Sequence, residues 1–303
     1  MYIFLSVILA FPLFFIAHSY GKDYGSYITY FECFAKTYCD MDWEVEPLTL
    51  VLAKGFGSLL PPEFIIYFYM AIGLATKFHA ASRMRSTFLP LLAYSVTFIP
   101  LLELNQIRAA ASIGFLILAI QSYLEYNRKK FIFFSVLAIA FHFSALIGIA
   151  IIIRRYVIII LCLITLFLFS FWSIDQLFIV YDLFPDLAKI LRLQSFASYL
   201  VERPTPTIIN LKTLLLFLLS VPVFLKWSEP QFRWLLANNL LLLWISFMGI
   251  FFIPQLFSRV FDLFLVIGLI FTLGYCNLKS WYKLLLIAFI FLQGIFTVDF
   301  IFG

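Results

Sequence analysis

The side chains in this sequence best suited to hold an anion or move a proton stand at a few separated positions. Arg108 follows Leu104-Asn105-Gln106-Ile107 where an apolar helical run begins. A guanidinium placed there and the unpaired N–H groups of a first helical turn favour the same anion, such as a phosphate. Arg259, three residues before Asp262, opens a later run in the same way. It is suited either to a second phosphate oxygen or to a local ion pair with Asp262. His142 lies inside a long apolar run, in Ala140-Phe141-His142-Phe143-Ser144. An imidazole at membrane depth needs a partner, whether a packed neighbour or a phosphate or hydroxyl lining a cavity. Ala140, Ser144 and Gly148 recur every four residues, a stripe of small side chains that suits close helix packing. Asp23, with Tyr27 one helical turn on, and Glu46, just before Pro47, supply carboxylates. Desolvated, either can take a proton from a hydroxyl as a general base; solvated, both simply mark an acidic loop.

Other chemistries have less support. His18, His79 and His142 are scattered with no metal-ligand spacing, so no metal is expected. Asp40-Met41-Asp42 is an Asp-x-Asp pair that reads better as solvated charge. Cys33 and Cys39 are close enough to close a short turn through a disulfide, whereas Cys162 and Cys276 are isolated. Gly55-Phe56-Gly57-Ser58 is neither a P-loop nor a nucleophile elbow, which leaves nucleotide chemistry and a nucleotide cofactor unsupported.

The elements that must position these residues follow from composition. Of 303 residues 64% are apolar, 20% aromatic and only 12% charged, and the mean hydropathy is +1.04. Those values exclude a soluble enzyme and a disordered chain. Apolar runs cover residues 2–17, 64–77, 88–102, 107–123, 131–153, 157–174, 211–225, 234–253, 260–275 and 284–300. They are apolar on every face rather than alternating, so they predict an all-α polytopic transmembrane bundle of about 9 to 11 helices and not a β-barrel. The pI of 8.9 is explained by basic loops that orient such a protein, and nucleic acid is not an expected partner.

Sidedness follows from charge. Arg83 with Arg85, Arg128 to Lys130, Arg154 with Arg155, Lys226 with Arg233, and Lys279 with Lys283 are expected in the cytoplasm. Residues 21–46 carry Lys22 and Lys36 against Asp23, Glu32, Asp40, Asp42, Glu44 and Glu46, and are expected outside. Residues 21–62 thus form a first outer loop, with residues 47–60 a short outer-face or re-entrant helix ended by Pro61 and Pro62. Residues 181–210 form a second outer loop, and residues 1–303 one integral membrane domain. With basic pairs at both ends, residues 131–153 are expected to break around His142 or to fold as a half-membrane hairpin; one ordinary crossing is the alternative.

The order of Asp23-x-x-x-Tyr27, Glu46-Pro47, Leu104-Asn105-Gln106-Ile107-Arg108-Ala109-Ala110 and Ala140-Phe141-His142-Phe143-Ser144-Ala145, with Arg259 late in the chain, resembles the EpsG-like branch of the Wzy polysaccharide polymerases. The resemblance implies a bacterial inner-membrane glycosyltransferase with a GT-C-like helical fold, polymerising O-antigen or exopolysaccharide repeat units at the periplasmic face. It implies that an undecaprenyl-pyrophosphate-linked glycan is donor and an undecaprenyl-pyrophosphate-linked repeat unit acceptor, with no cofactor and with a Wzz-type chain-length regulator as a partner. Asp23, Glu46 and His142 would then be catalytic. Arg108, Arg259, Gln106, Tyr27 and Ser144 would bind the pyrophosphate or glycan. A lipid-linked oligosaccharide flippase and an O-antigen-ligase-like glycosyltransferase are the alternatives, since both need cationic groups near a membrane face.

Overall fold

The computed structural model describes residues 2–21, 23–35, 46–57, 59–152, 211–250 and 254–302. Its elements are α1 (Tyr2–Tyr20), α2 (Tyr24–Ala35), α3 (Pro47–Phe56), α4 (Pro62–Ser82), α5 (Phe88–Thr97), a π-helical turn (Ile99–Glu103), α6 (Ile107–Leu124), α7 (Arg128–Phe141), α8 (Ser144–Gly148) and a 3₁₀ turn (Ile149–Ile152). After residues 153–210 come α9 (Leu211–Phe224), α10 (Pro230–Gly249), α11 (Pro254–Tyr275) and α12 (Ser280–Phe302). Among the described residues four helical stretches, Pro62–Ser82, Ile107–Leu124, Phe232–Gly249 and Phe257–Tyr275, are long and apolar enough to cross a membrane. Exposed apolar side chains along α1 (Phe4, Ile8, Phe11, Phe15), α7 (Ile132, Phe133, Val136) and α12 (Leu284, Phe291, Ile295) suit contact with lipid rather than water. The chain is an all-α polytopic membrane protein.

One end of the bundle is basic. There Arg83 at the end of α4 pairs with Glu125 at the end of α6, and Arg85 pairs with Glu229 before α10. The Asn277 amide donates to the Trp227 carbonyl, and Lys279 lies over the Trp227 ring. These contacts gather the C-terminal ends of α4, α6, α9 and α11 with the N-terminal ends of α7, α10 and α12.

Two features depart from a simple reading of apolar runs. The polar stretch after α1 contains a helix, α2, because Tyr24, Tyr30, Phe31 and Phe34 recur at helical spacing and bury one face. Gly21 makes the corner between α1 and α2: a methyl group on it would fall 2.8 Å from the Leu104 carbonyl oxygen, so only glycine lets the corner approach the turn before α6. Second, the run 131–153 does break at His142. That residue leaves the helix with extended backbone (φ −161°, ψ 126°). Gly148 then packs against Leu116 and Leu263, in the middle of α6 and α11. The Ile151 carbonyl accepts from Asn238, only eight residues from the basic-end start of α10. The chain has therefore turned back towards the basic end by Ile151.

Helix lengths set the depth of the functional side chains. Arg108 and Arg259 each stand sixteen residues from the basic-end terminus of their helices, or about 24 Å at the α-helical rise. The fourteen residues of α7 carry His142 to about 21 Å. All three share one level, about 21 to 24 Å from the basic end. The basic pair Arg154 and Arg155, Cys39, Cys162, the Asp40-Met41-Asp42 pair, and the expected helix and loop at 157–174 and 181–210 lie outside the described residues.

Candidate active site

Glu46 is the hub of the non-basic end. It occupies the N-cap position of α3 yet makes no cap hydrogen bond; Pro47 follows as the first helical residue and has no N–H to satisfy. The carboxylate is thereby released to the neighbouring helices. Its Oε2 accepts from Arg108 Nη1 at 2.5 Å, and its Oε1 lies 2.7 Å from His142 Nδ1. The Glu46 side chain is 1% exposed, against 22% for Arg108 and 27% for His142. A sealed carboxylate thus orients two partly open groups. Burial raises the affinity of this carboxyl for a proton, but the His142 hydrogen bond and the Arg108 charge outweigh burial and bring its pKa down to about 2.

Each partner has its own support. Arg108 Nη1 also donates to the Tyr30 hydroxyl at 3.2 Å, and its guanidinium lies over the rings of Tyr30 and Tyr27, 5.0 and 5.6 Å from their centroids. At the end of α7 the Ala138 carbonyl accepts from the His142 amide at 3.0 Å, and α6 adds a second donor there. Ser112 Oγ, from α6, donates to Ala138 O at 2.8 Å and reaches His142 O at 3.4 Å. That contact fixes α7 to α6 at the level of the site. Below, the hydroxyls of Thr49 and Tyr69 pair at 2.7 Å, and Tyr69 packs edge-on against Phe141.

A second cluster fixes the turn that carries Arg108. Lys77, buried on α4, donates to Glu103 Oε1 at 2.7 Å, to Ala110 O at 2.7 Å and to Gly73 O at 3.1 Å. Tyr94 donates to the same Glu103 oxygen at 2.9 Å. Lys77 therefore grips both sides of the turn 104–106: Glu103 in the π-helical turn and Ala110 in the first turn of α6.

The structure brings Glu46, His142, Arg108 and Tyr27 together. Asp23, just before α2, is within electrostatic reach of Arg259 and Arg108; partial desolvation raises its pKa, and the two cations offset that only in part. Asp262 is bonded to Lys212 through both oxygens, at 2.8 and 2.9 Å, so it is a partner of α9 and not simply of Arg259. Gln106 is the N-cap residue of α6 and makes no side-chain cap bond; Ser144 begins α8. Neither is joined to the Glu46 hub by a described hydrogen bond. Tyr30, Thr49, Tyr69, Lys77 and Tyr94 join the site without being expected from the sequence. The aromatic spacing 27, 30 and 31 was a usable signal for the first, and a lysine deep in an apolar run was one for Lys77. Among the described residues, no three His, Cys, Asp or Glu side chains converge as metal ligands. Cys33 is in a disulfide whose other half lies outside the described residues.

Comparison with known families places a match over nearly the whole of this architecture: the model of the EpsG family aligns with residues 2–302. No curated protein and no solved structure matches the chain.

Proposed function

The chain belongs to the EpsG family, and from that premise we propose that it is a membrane polysaccharide polymerase. In this reading it transfers a growing glycan from undecaprenyl pyrophosphate onto the sugar of an undecaprenyl-pyrophosphate-linked repeat unit, at the periplasmic face of the bacterial inner membrane. The observation that carries the reading is the Glu46 carboxylate bound at once to Arg108 and His142. A carboxylate held at about 2 is a weak base, so Glu46 orients rather than abstracts. With Nδ1–H donating to Glu46, His142 keeps its Nε2 lone pair for the acceptor hydroxyl. The hydroxyl oxygen attacks the anomeric carbon of the donor, its proton passes to Nε2, and the bond from that carbon to the pyrophosphate oxygen breaks. Arg108 and Arg259, at one depth, neutralise the leaving pyrophosphate. Asp23 receives acceptor hydroxyl groups at the mouth. Lipid tails remain among the helices, which explains a polar site in so apolar a chain.

The test is the lipid-linked glycan profile of cells deleted for the gene and complemented with wild type or Arg108→Ala. Single repeat units displayed outside without polymer, unrelieved by an Arg108→Ala protein of normal membrane abundance, are expected. Repeat units trapped on the cytoplasmic face would overturn the reading in favour of a flippase, and full-length polymer from Arg108→Ala would remove the arginine from the mechanism.

A further inference from the structure

At the basic end, on the opposite side of the membrane from the Glu46 site, α9 and α10 enclose a groove of about 730 Å³. That volume falls within the roughly 300–1,000 Å³ of small-molecule sites. Its mouth is lined by Lys226 and Arg233, its shoulder by Trp234 and its wall by Phe224, Leu240, Leu241 and Trp244. We propose that this groove holds one anionic phospholipid, phosphate at the basic mouth and an acyl chain along the wall.

Three observations point to that occupant. First, among the described residues no acidic side chain lines the groove, and the nearby Glu229 is engaged by Arg85; Lys226 and Arg233 give the mouth a positive field that complements a phosphodiester. Second, Arg233 commits Nη2 to the Ser228 carbonyl at 3.3 Å, while its Nε is shielded from water and, among the described residues, has no hydrogen-bond partner. A buried guanidinium N–H of this kind lacks the acceptor that it needs. Third, the wall has the length of a lipid chain in one leaflet. Arg233 and Trp244 are eleven residues apart on α10, about 16 Å, and half of a hydrocarbon core of about 30 Å is 15 Å. Tryptophan beside the charged mouth is the usual side chain at that interface. Lys226 lines the groove from a left-handed backbone position, φ 56°, directly after α9.

The site is independent of whether the chain polymerises a glycan. It is tested on the detergent-purified full-length protein by native mass spectrometry, with titration of dioleoyl phosphatidylglycerol, dioleoyl phosphatidylcholine, inorganic phosphate and undecaprenyl phosphate. One phosphatidylglycerol per chain is expected, at least about tenfold tighter than phosphatidylcholine and not displaced by inorganic phosphate. Lys226→Gln should weaken it roughly fivefold. Leu241→Trp, which fills the wall and leaves both cations in place, should abolish binding while the thermal midpoint of the lipid-free protein stays within the wild-type range. Equal retention of phosphatidylcholine, undiminished binding by Leu241→Trp, or displacement by inorganic phosphate would each overturn the proposal. Displacement by undecaprenyl phosphate would overturn it too and assign the groove to a polyprenyl lipid.

Discussion

Glu46 is charged in the fold at a pH where the same carboxyl in an unfolded chain is already titrating. Its folded pKa of about 2 lies below the ordinary 4.5, so its stabilising effect is fully present above pH 4.5 and is lost as pH falls towards 2. The linkage amounts to about 3 kcal/mol. In detergent the wild-type thermal midpoint should drop between pH 5 and pH 3 by more than that of Glu46→Gln, which has no carboxylate to protonate; parallel curves would show that Arg108 and His142 do not hold it. At this scale the sequence was partly legible. Arg108, His142 and Glu46 were recognisable because a charge or imidazole beside an apolar run demands a partner. That they are one another's partners was not, because 62 residues separate Glu46 from Arg108 and 96 separate it from His142. No local period reports such a contact. The same limit hid the preference of Asp262 for Lys212.

Among the elements, the turn between the π-helical residues and α6 depends most on a single buried pair. Lys77→Met leaves Glu103 charged and buried with only Tyr94 as its described donor, and should cost about 3–5 kcal/mol. The paired change Lys77→Met with Glu103→Met removes both charges and should recover most of that loss, while leaving the turn that bears Arg108 without its clamp. Denaturation midpoints of the two purified variants check this; equal losses would mean that the pair is not coupled. The apolar runs revealed the long helices and the short α3 directly, and flanking basic pairs exposed the break at His142. They failed at α2, whose buried aromatic face is narrow and whose remaining residues are as polar as a loop, and at the π-helical turn, which is apolar enough to pass as part of α5.

For the whole molecule, the basic end gathers arginine and lysine from the termini of five helices, α4, α7, α9, α10 and α12, and the positive-inside rule then predicts that this end is cytoplasmic. Tyr126, 93% exposed beside Arg128, and Leu59, 78% exposed before α4, are suitable reporters. In a background stripped of native cysteines, Leu59→Cys should react with an impermeant thiol reagent in intact cells and Tyr126→Cys only after the membrane is opened; the reverse pattern would invert the topology. The shared depth of Arg108, Arg259 and His142 also predicts a dependence on bilayer thickness. With the cationic rim at one headgroup layer, as the positive-inside rule predicts, and the functional level about 24 Å away, the water that reaches that level should depend on how thick the surrounding hydrocarbon is. In proteoliposomes of progressively longer acyl chains, the His142 level should sink beneath the far headgroups and turnover should fall, although no residue has changed; flat turnover across chain lengths would show that the protein deforms the lipid around itself instead. Membrane composition would then act as a throttle on this site, so that a cell adjusting its fatty acids would adjust the output of the protein as well.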